Sequence, residues 1–600
     1  MNRQQFHELQ ARLAGQRKAL FENNTVIQVM MDGGSILSGA KQTYEYFQKE
    51  IVSRGLKNVV VKMVGSFGAM WADPTVFISK PGGPRVLYGF VDTKRAGELL
   101  TRFVLGDDPC ANWSLGWVSN DPYHYPDFAW AKAPDEEWRG ILPIGRTEWG
   151  KLQQRISGRN LGFIDPEDIE DYIAIGGYKS LEKALLDMDP QKVIDEVKAS
   201  KLRGRGGAGF SVGTKWQSTH DETRMPKYVV VNGHEGEPNV FKDRRLFEGD
   251  PHSTLEGLLL GCYAAGTGDA YIYVGSEHPL AFKRIGIAVE QARKVGLLGK
   301  NILGSNFSCD VKVIIAAGCY ISGEASAMLY GIQGLRGMPR VKPPRSYEAG
   351  LWAQPTTVNN VESFNNVPEI ILRGGAWYAG FGSEKSKGTK LIMLSGPFKR
   401  QCLAEVPFGG PISDSINIVG GGSSDPKHPI RAVQTGSVSG GCFPPSMFNI
   451  PFDIDAFGKW DCLLGSGSFT AYTDQQCLVD AAYYVLRYNR DESCGKCVPC
   501  RIGNEGLTEM LWRIKNGDGK EEDVEKMLQI SDLVIEHSIC GLGQAAPLPI
   551  RNMLKIPEFK AELMEHIINK RCRSNVCSME HSNFKMLGFG TGVRANHQYK

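Results

Sequence analysis

The sequence predicts an α/β multi-domain protein. Apolar strands alternate with amphipathic helices over most of its length, glycine-rich turns follow several of those strands, and a tight group of cysteines stands toward the C-terminal end. With 600 residues the chain has room for about four domains. Its 42% hydrophobic and 22% charged residues give an ordinary globular composition and exclude wholesale disorder. A formal net charge of +3, without a run of Lys and Arg, makes a nucleic-acid partner unexpected. The N-terminal MNRQQFHELQARLAGQRKALFENN lacks the apolar core of a secretory signal, and no long apolar stretch follows. A cytoplasmic protein without direct membrane insertion is therefore expected.

Residues 1–110 run through a strand (VIQVMM), a glycine turn, a helix from Ala40 to Arg54, the strands VVVKMV, TVFIS and VLYGFV, and a closing helix. That order resembles a thioredoxin-like domain. Residues 111–164, rich in Trp, Tyr, Pro and Gly, read as a structured linker. Residues 165–383 alternate YVVVNG, DAYIYVG and DVKVIIAAG with amphipathic helices, which predicts a mostly parallel sheet with ligands at its strand C-termini. Short strands and turns over 384–476 predict a small mixed β domain. Helical periodicity returns over 477–570, and 571–600 read as a weakly ordered tail.

The segment ESCGKCVPCRIG places Cys494, Cys497 and Cys500 at C-x2-C-x2-C, and Cys540 follows 40 positions later in HSICGLGQAAPLPI. Three thiolates from one loop and a remote fourth suit a [4Fe–4S] cluster, whereas structural zinc prefers two separated C-x2-C knuckles. Zinc and unliganded thiols are the alternatives. Lys496 and Arg501 beside the motif either offset thiolate charge or form solvated surface. Cys110, Cys262, Cys309, Cys319, Cys402, Cys442, Cys462 and Cys477 show no ligand spacing and read as packed thiols. Cys572 and Cys577 read as incidental.

Between Lys201 and Gln217, KLRGRGGAGFSVGTKWQ carries Gly204, Gly206, Gly207 and Gly209 ahead of Lys215. Such a loop lets backbone N–H groups approach a phosphate while the lysine adds charge, although a structural turn reads the same way. VVVNGHEGEPNVFKDR then follows an apolar strand with Asn232, His234, Glu235 and Glu237. GCYISGEASAML follows another, and PTTVNNVES ends a later stretch with Asn359 and Asn360. Paired asparagines offer donors and acceptors to the polar edge of a flavin ring, or cap a helix. Polar turns at adjacent strand ends imply one pocket.

Taken in order, GRGGAGF, the N-x-x-E-x-E-P-x-x-x-K-D-R pattern, RGMPRVKPP, PTTVNNVES, ESCGKCVPCR and SICGLGQAAPLPI resemble the flavin-bearing NADH-binding subunit of respiratory complex I. They equally resemble its soluble relatives, the diaphorase β subunits of NAD-linked and electron-bifurcating hydrogenases and formate dehydrogenases. The resemblance runs from about residue 165 to 570. It implies a Rossmann-like FMN domain, a ubiquitin-like β-grasp domain of the soluble-ligand-binding (SLBB) type, and a helical bundle holding one [4Fe–4S] cluster. It also implies an FMN phosphate near Gly206, Gly207 and Lys215, and a flavin ring near Asn232, Tyr320, Gly323, Asn359 and Asn360. Glu235 and Glu237 are placed on the catalytic, nicotinamide side, and Gly204, Phe210, His234, Glu324, Lys342 and Arg345 complete the cofactor-binding set. The activity implied is a diaphorase: a hydride from NADH reaches the flavin and leaves as single electrons through the cluster.

The chain also departs from that pattern. His234 stands where the family has an acid, Ala325 where a glutamate holds the adenosine ribose, and Arg345 and Ser218 where aromatics stack on adenine. Loss of the ribose carboxylate and gain of a guanidinium suit the 2′-phosphate of NADPH. A lost nucleotide site, leaving an electron-relay or scaffold subunit, is the competing expectation. The positions equivalent to a [2Fe–2S] ligand set in the N-terminal domain are Met30, Ser35, Ser66 and Met70, and none is a thiol. A thioredoxin-like [2Fe–2S] partner subunit, with further iron–sulfur or catalytic subunits, is therefore expected by resemblance.

Overall fold

The computed structural model describes residues 1–119 and 136–579. Among these residues three sheets organise the chain. The first contains β1 (Thr25–Met30), β2 (Val59–Val64), β3 (Val76–Ser79), β4 (Arg85–Tyr88) and β5 (Ser114–Val118), in the order β2-β1-β3-β4-β5. β1 and β2 are parallel and the other neighbours antiparallel. β5 lies inside the stretch expected to be linker. Gly116 conceals it, breaking the alternation at a φ of +133°, where a Cβ would stand 2.7 Å from Ile144. Residues 120–135 of that stretch lie outside the described residues.

The helix Arg3–Asn23 starts at a capping box between Asn2 and Gln5, and buries Phe6, Leu13, Arg17 and Phe21 along one face. Arg17 bonds Asp171 at 2.7 Å, and Lys62 of β2 reaches the same carboxylate at 3.1 Å. Burial alone would push the Asp171 carboxyl up, but the Arg17 and Lys62 cations outweigh it and hold it at about 2. The native value lies below the unfolded one, so this stabilisation is complete above about pH 4 and fades as the pH falls toward about 2. We expect Asp171→Asn to lose about 2 kcal/mol at neutral pH and to show a correspondingly shallower acid loss. Denaturation midpoints measured against pH would show parallel acid limbs if the pair contributed nothing.

The second sheet is wholly parallel, in the order β8-β7-β6-β9, with β6 (Tyr228–Gly233), β7 (Asp269–Val274), β8 (Asp310–Ile315) and β9 (Thr356–Asn360). Val229, Val230 and Val231 of β6 are fully buried, as an apolar strand covered on both faces must be. Register pairs Asn232 with Asn360, so the two asparagines end adjacent strands side by side. The third sheet, β11-β10-β14-β12-β13, comprises β10 (Thr389–Ser395), β11 (Cys402–Pro407), β12 (Ala432–Thr435), β13 (Cys442–Phe443) and β14 (Ser468–Tyr472). Only β10 and β14 run parallel within it. Its Phe443, Phe469 and Ala471 share one core with Leu478, Leu486, Leu511 and Leu563 of the following helices.

Met30 ends the inner strand β1, Ser35 lies in the short helix Gly33–Leu37, Ser66 follows β2, and Met70 opens the turn Met70–Ala72. Asp32 is fully buried there, bonded to Arg245 of the helix Lys242–Gly249. Burial pushes the Asp32 carboxyl up, but Arg245 outweighs it and keeps the group ionised. Glu248 of the same helix accepts the Gly33 N–H at 2.8 Å. The Met30 sulfur accepts from Thr75 Oγ1 at 2.8 Å, and Ser35 Oγ donates to Asp73 at 3.0 Å. This ion-pair network fastens the loop after β1 to the helix Lys242–Gly249.

Candidate functional site

The site grows from the C-terminal ends of β6 and β9. After β6, Asn232 donates to the Gly323 carbonyl at 2.8 Å and accepts the His234 N–H at 3.2 Å, fixing the turn. After β9, Asn359 accepts from Trp216 Nε1 at 3.0 Å. Asn360 donates to Asp243 at 2.6 Å, accepts from Lys242 Nζ at 2.9 Å, and caps the helix Val361–Arg373 through the Glu362 N–H. Lys242 also pairs with Asp243 and with Glu362, at 2.6 and 3.2 Å. The sequence did not single out Trp216, Lys242, Asp243 or Glu362 as supports of this site. The K-D-R of the motif was the visible signal for Lys242 and Asp243.

The glycine loop folds back beside these residues. Gly204 N–H donates to the Phe210 carbonyl at 2.8 Å, and a Cβ on Gly206 would sit 3.1 Å from Asn360 Cβ. Gly207 has a φ of +109°, which a side chain would strain. The helix Val212–Asp221 starts at once, capped by Ser211, and points its N-terminal amides toward the loop. Lys215, on its first turn, donates to the Val358 carbonyl at 3.1 Å. Burial, aided by the nearby Lys342 charge, lowers this ammonium to about 8. Phe210 is exposed, with the Lys215 ammonium 5.8 Å from its ring centroid.

The acidic residues divide into two kinds. Glu235, expected on the nicotinamide side, accepts the Asp243 and Arg244 N–H groups at 2.9 and 3.0 Å and so caps the helix Lys242–Gly249. Burial, with the Asp243 charge close by, raises its carboxyl to about 7. Glu237 accepts from Tyr320 OH at 3.2 Å through Oε1, while its buried Oε2 has no partner among the described residues. Glu324 caps the helix Ala325–Ile332 and pairs with Lys342 at 2.8 Å. Arg345 is exposed, its N–H held by Glu348 at 2.6 Å. The His234 imidazole is buried against Gly236 and Gly323, and burial lowers its pKa, so it is neutral.

The turn Tyr320–Gly323 joins this crevice to the cysteines. Tyr320 N–H donates to Glu492 at 2.7 Å, Tyr488 OH bonds the Gly236 carbonyl, and Ile321 packs with Cys494, Cys497, Cys500 and Cys540 in one apolar cluster. Cys500 and Cys540 are buried. Cys500 accepts from Asn504 Nδ2 at 3.4 Å and lies 3.2 Å from Ser493 Oγ. Burial pushes the Cys500 thiol up to about 11.

The residues present fit both groups. Buried Cys500 and Cys540 and half-buried Cys494 and Cys497 pack in one cluster with Ile321, and the crevice holds an amide-rich loop, a lysine, and the unpartnered Glu237 Oε2 and Asn359 Nδ2. Residues 197–369 match the Nuo51 FMN-binding domain, and residues 480–566 match the NADH-ubiquinone oxidoreductase-F iron–sulfur binding region. The chain is 42% identical to the NADP-reducing hydrogenase subunit HndC of Solidesulfovibrio fructosivorans, over 72% of this chain and 88% of that one. The chain belongs to the Nuo51 family of NADH-quinone oxidoreductase subunits. Within it, an NADH-quinone oxidoreductase subunit of Rhizobium meliloti (strain 1021) is 39% identical over 69% of this chain and 98% of its own length. An NAD+-reducing [NiFe]-hydrogenase chain shares the fold at a TM-score of 0.59 and 21% identity, over 94% of this chain and 90% of its own. As a member of the family, this chain is an FMN- and [4Fe–4S]-bearing, NADH-oxidising subunit of a multi-subunit enzyme. No helix among the described residues is long and apolar enough to cross a membrane.

Proposed function

We propose that the Tyr320–Gly323 turn is the wall through which the flavin crevice and the cluster communicate. The observation that carries this is its two-sided contact, with Tyr320 OH on Glu237 and Ile321 among the four cysteines. When bound, FMN accepts a hydride and the cluster takes electrons singly. The chain's own part is positional. Gly206, Gly207 and Lys215 would hold the phosphate, while Asn232, Asn359 and Asn360 would orient the ring. Glu237 keeps an oxygen free toward the nicotinamide side, and Glu235 acts as a positioning residue through the Lys242–Gly249 helix. Because neutral His234 replaces an acid, it adds no negative charge beside the ring.

In domain terms, we read the first sheet as thioredoxin-like, the parallel sheet as Rossmann-like and the third as an SLBB-type β-grasp. A separate thioredoxin-like [2Fe–2S] subunit would then carry electrons onward, in a cytoplasmic complex.

A second reading concerns the nucleotide. Ala325 offers no ribose carboxylate, Glu324 is taken up by its helix cap and by Lys342, and the exposed Arg345 adds a cation at the mouth. NADPH should therefore be accepted beside NADH, which agrees with the name of the Solidesulfovibrio relative. Ala325→Glu is expected to lower kcat/KM for NADPH at least about tenfold while NADH activity persists, because a carboxylate repels the 2′-phosphate. Steady-state rates of the intact complex with each nucleotide measure this. Wild-type inactivity with NADPH would refute the dual use.

A further inference from the structure

We propose that His234 and Glu277 form the path by which the proton of each delivered hydride leaves the flavin crevice for water. The need for a path follows from the activity. NADH gives up two electrons and one proton together, the iron–sulfur chain accepts only the electrons, and the proton is left in the crevice. The proposal rests on the reading of that crevice as the flavin site.

His234 stands between the crevice and the surface. Asn232 accepts its N–H at 3.2 Å and donates to the Gly323 carbonyl at 2.8 Å, which ties the residue to the Tyr320–Gly323 turn. A Cβ on Gly323 would stand 3.2 Å from His234 Nδ1, and one on Gly236 2.8 Å from Cε1, so this side of the ring lies against the crevice glycines. The other nitrogen, Nε2, is 4.0 Å from Glu277 Oε1, in the turn after β7. The His234 side chain is 1% exposed and that of Glu277 38%, so the pair leads from the interior to solvent. Ser276 Oγ donates to Glu277 Oε2 at 3.4 Å.

Neither ring nitrogen of His234 has a hydrogen-bond partner among the described residues. A buried imidazole without partners is destabilising, and its presence asks for a use. Burial outweighs Glu277, the Ala317 carbonyl and Glu492, which favour the cation, and keeps the ring neutral with a lone pair free to accept. Tyr273 of β7 stacks beside it at 6.4 Å, and burial and the Arg244 charge hold the neighbouring His278 below its ordinary value. Nδ1 then takes the proton from the crevice as the Nε2 proton passes to a Glu277 oxygen, which releases it to water. The 4.0 Å gap closes by rotation of the exposed Glu277 side chain.

The test uses the intact complex in rapid-mixing experiments. NADH alone reads flavin bleaching. NADH with ferricyanide, which takes electrons without protons, reads proton release through a pH-indicator dye in weak buffer. His234→Gln keeps a polar side chain that cannot relay a proton; it should bleach within about twofold of wild type yet release protons at least about tenfold more slowly. Glu277→Gln, on the exposed side, should slow release at least about threefold with bleaching unchanged, and it decides the matter where the buried variant fails to assemble. Release at the wild-type rate in either variant, or equal slowing of bleaching and release, would overturn the path. A wild-type flavin that NADH does not bleach would instead overturn the reading of the crevice.

Discussion

Replacing Cys500 by serine is expected to separate the two halves of the electron path. The variant complex should keep its flavin and still let NADH bleach it, yet pass electrons to its downstream acceptor at least about a hundredfold more slowly. Cys500 is 4% exposed, and its sulfur accepts from Asn504 and lies 3.2 Å from Ser493 Oγ, so the position is fixed and serine puts a poor iron ligand there. The flavin crevice is walled by Asn232, Glu237 and Tyr320, none of which touches Cys500 through a hydrogen bond. Iron content should fall by about four per chain, with loss of the matching paramagnetic signal. A variant with unchanged iron and unchanged onward transfer would remove Cys500 from the ligand set.

Arg245→Ala should carry the largest stability penalty, about 3–5 kcal/mol. The Arg245 guanidinium is 3% exposed, pairs with fully buried Asp32, and lies against Gly34, where a Cβ would come within 2.5 Å of it. Removing it leaves the Asp32 carboxylate buried without its cation, next to Glu248 and Asp73. Arg245→Lys should rescue little, because a lysine presents a point charge where the arginine presents a planar fork. Arg245→Met combined with Asp32→Leu should recover much of the loss, since both charges leave together. Thermal unfolding of the complex reads all three. A wild-type melting temperature for Arg245→Ala would mean that the network does not fasten the first sheet.

Sequence alone made much of this visible, and its misses share physical causes. Parallel strands such as YVVVNG are continuous apolar runs, so the second sheet and the asparagines at its edge could be placed without coordinates. The cluster loop was visible because C-x2-C-x2-C is dense and local. β5 was hidden because a glycine with positive φ breaks its alternation. Glu235 and Glu237 stand in one motif, and the motif does not show that Glu235 also meets the N-terminus of the helix Lys242–Gly249. Lys242, Asp243 and Glu362 escaped notice because a buried ion network joins residues over 100 positions apart, and only folding brings Lys242 to Glu362.

The most direct test of the central claim is an anaerobic visible spectrum of the complex, purified with its native partners, before and after NADH. The account predicts that NADH bleaches the flavin band and that iron–sulfur absorbance then falls as electrons pass beyond Tyr320. Flavin and iron present but untouched by NADH, while a low-potential chemical donor reduces both, would contradict it and leave an electron relay without a nucleotide site.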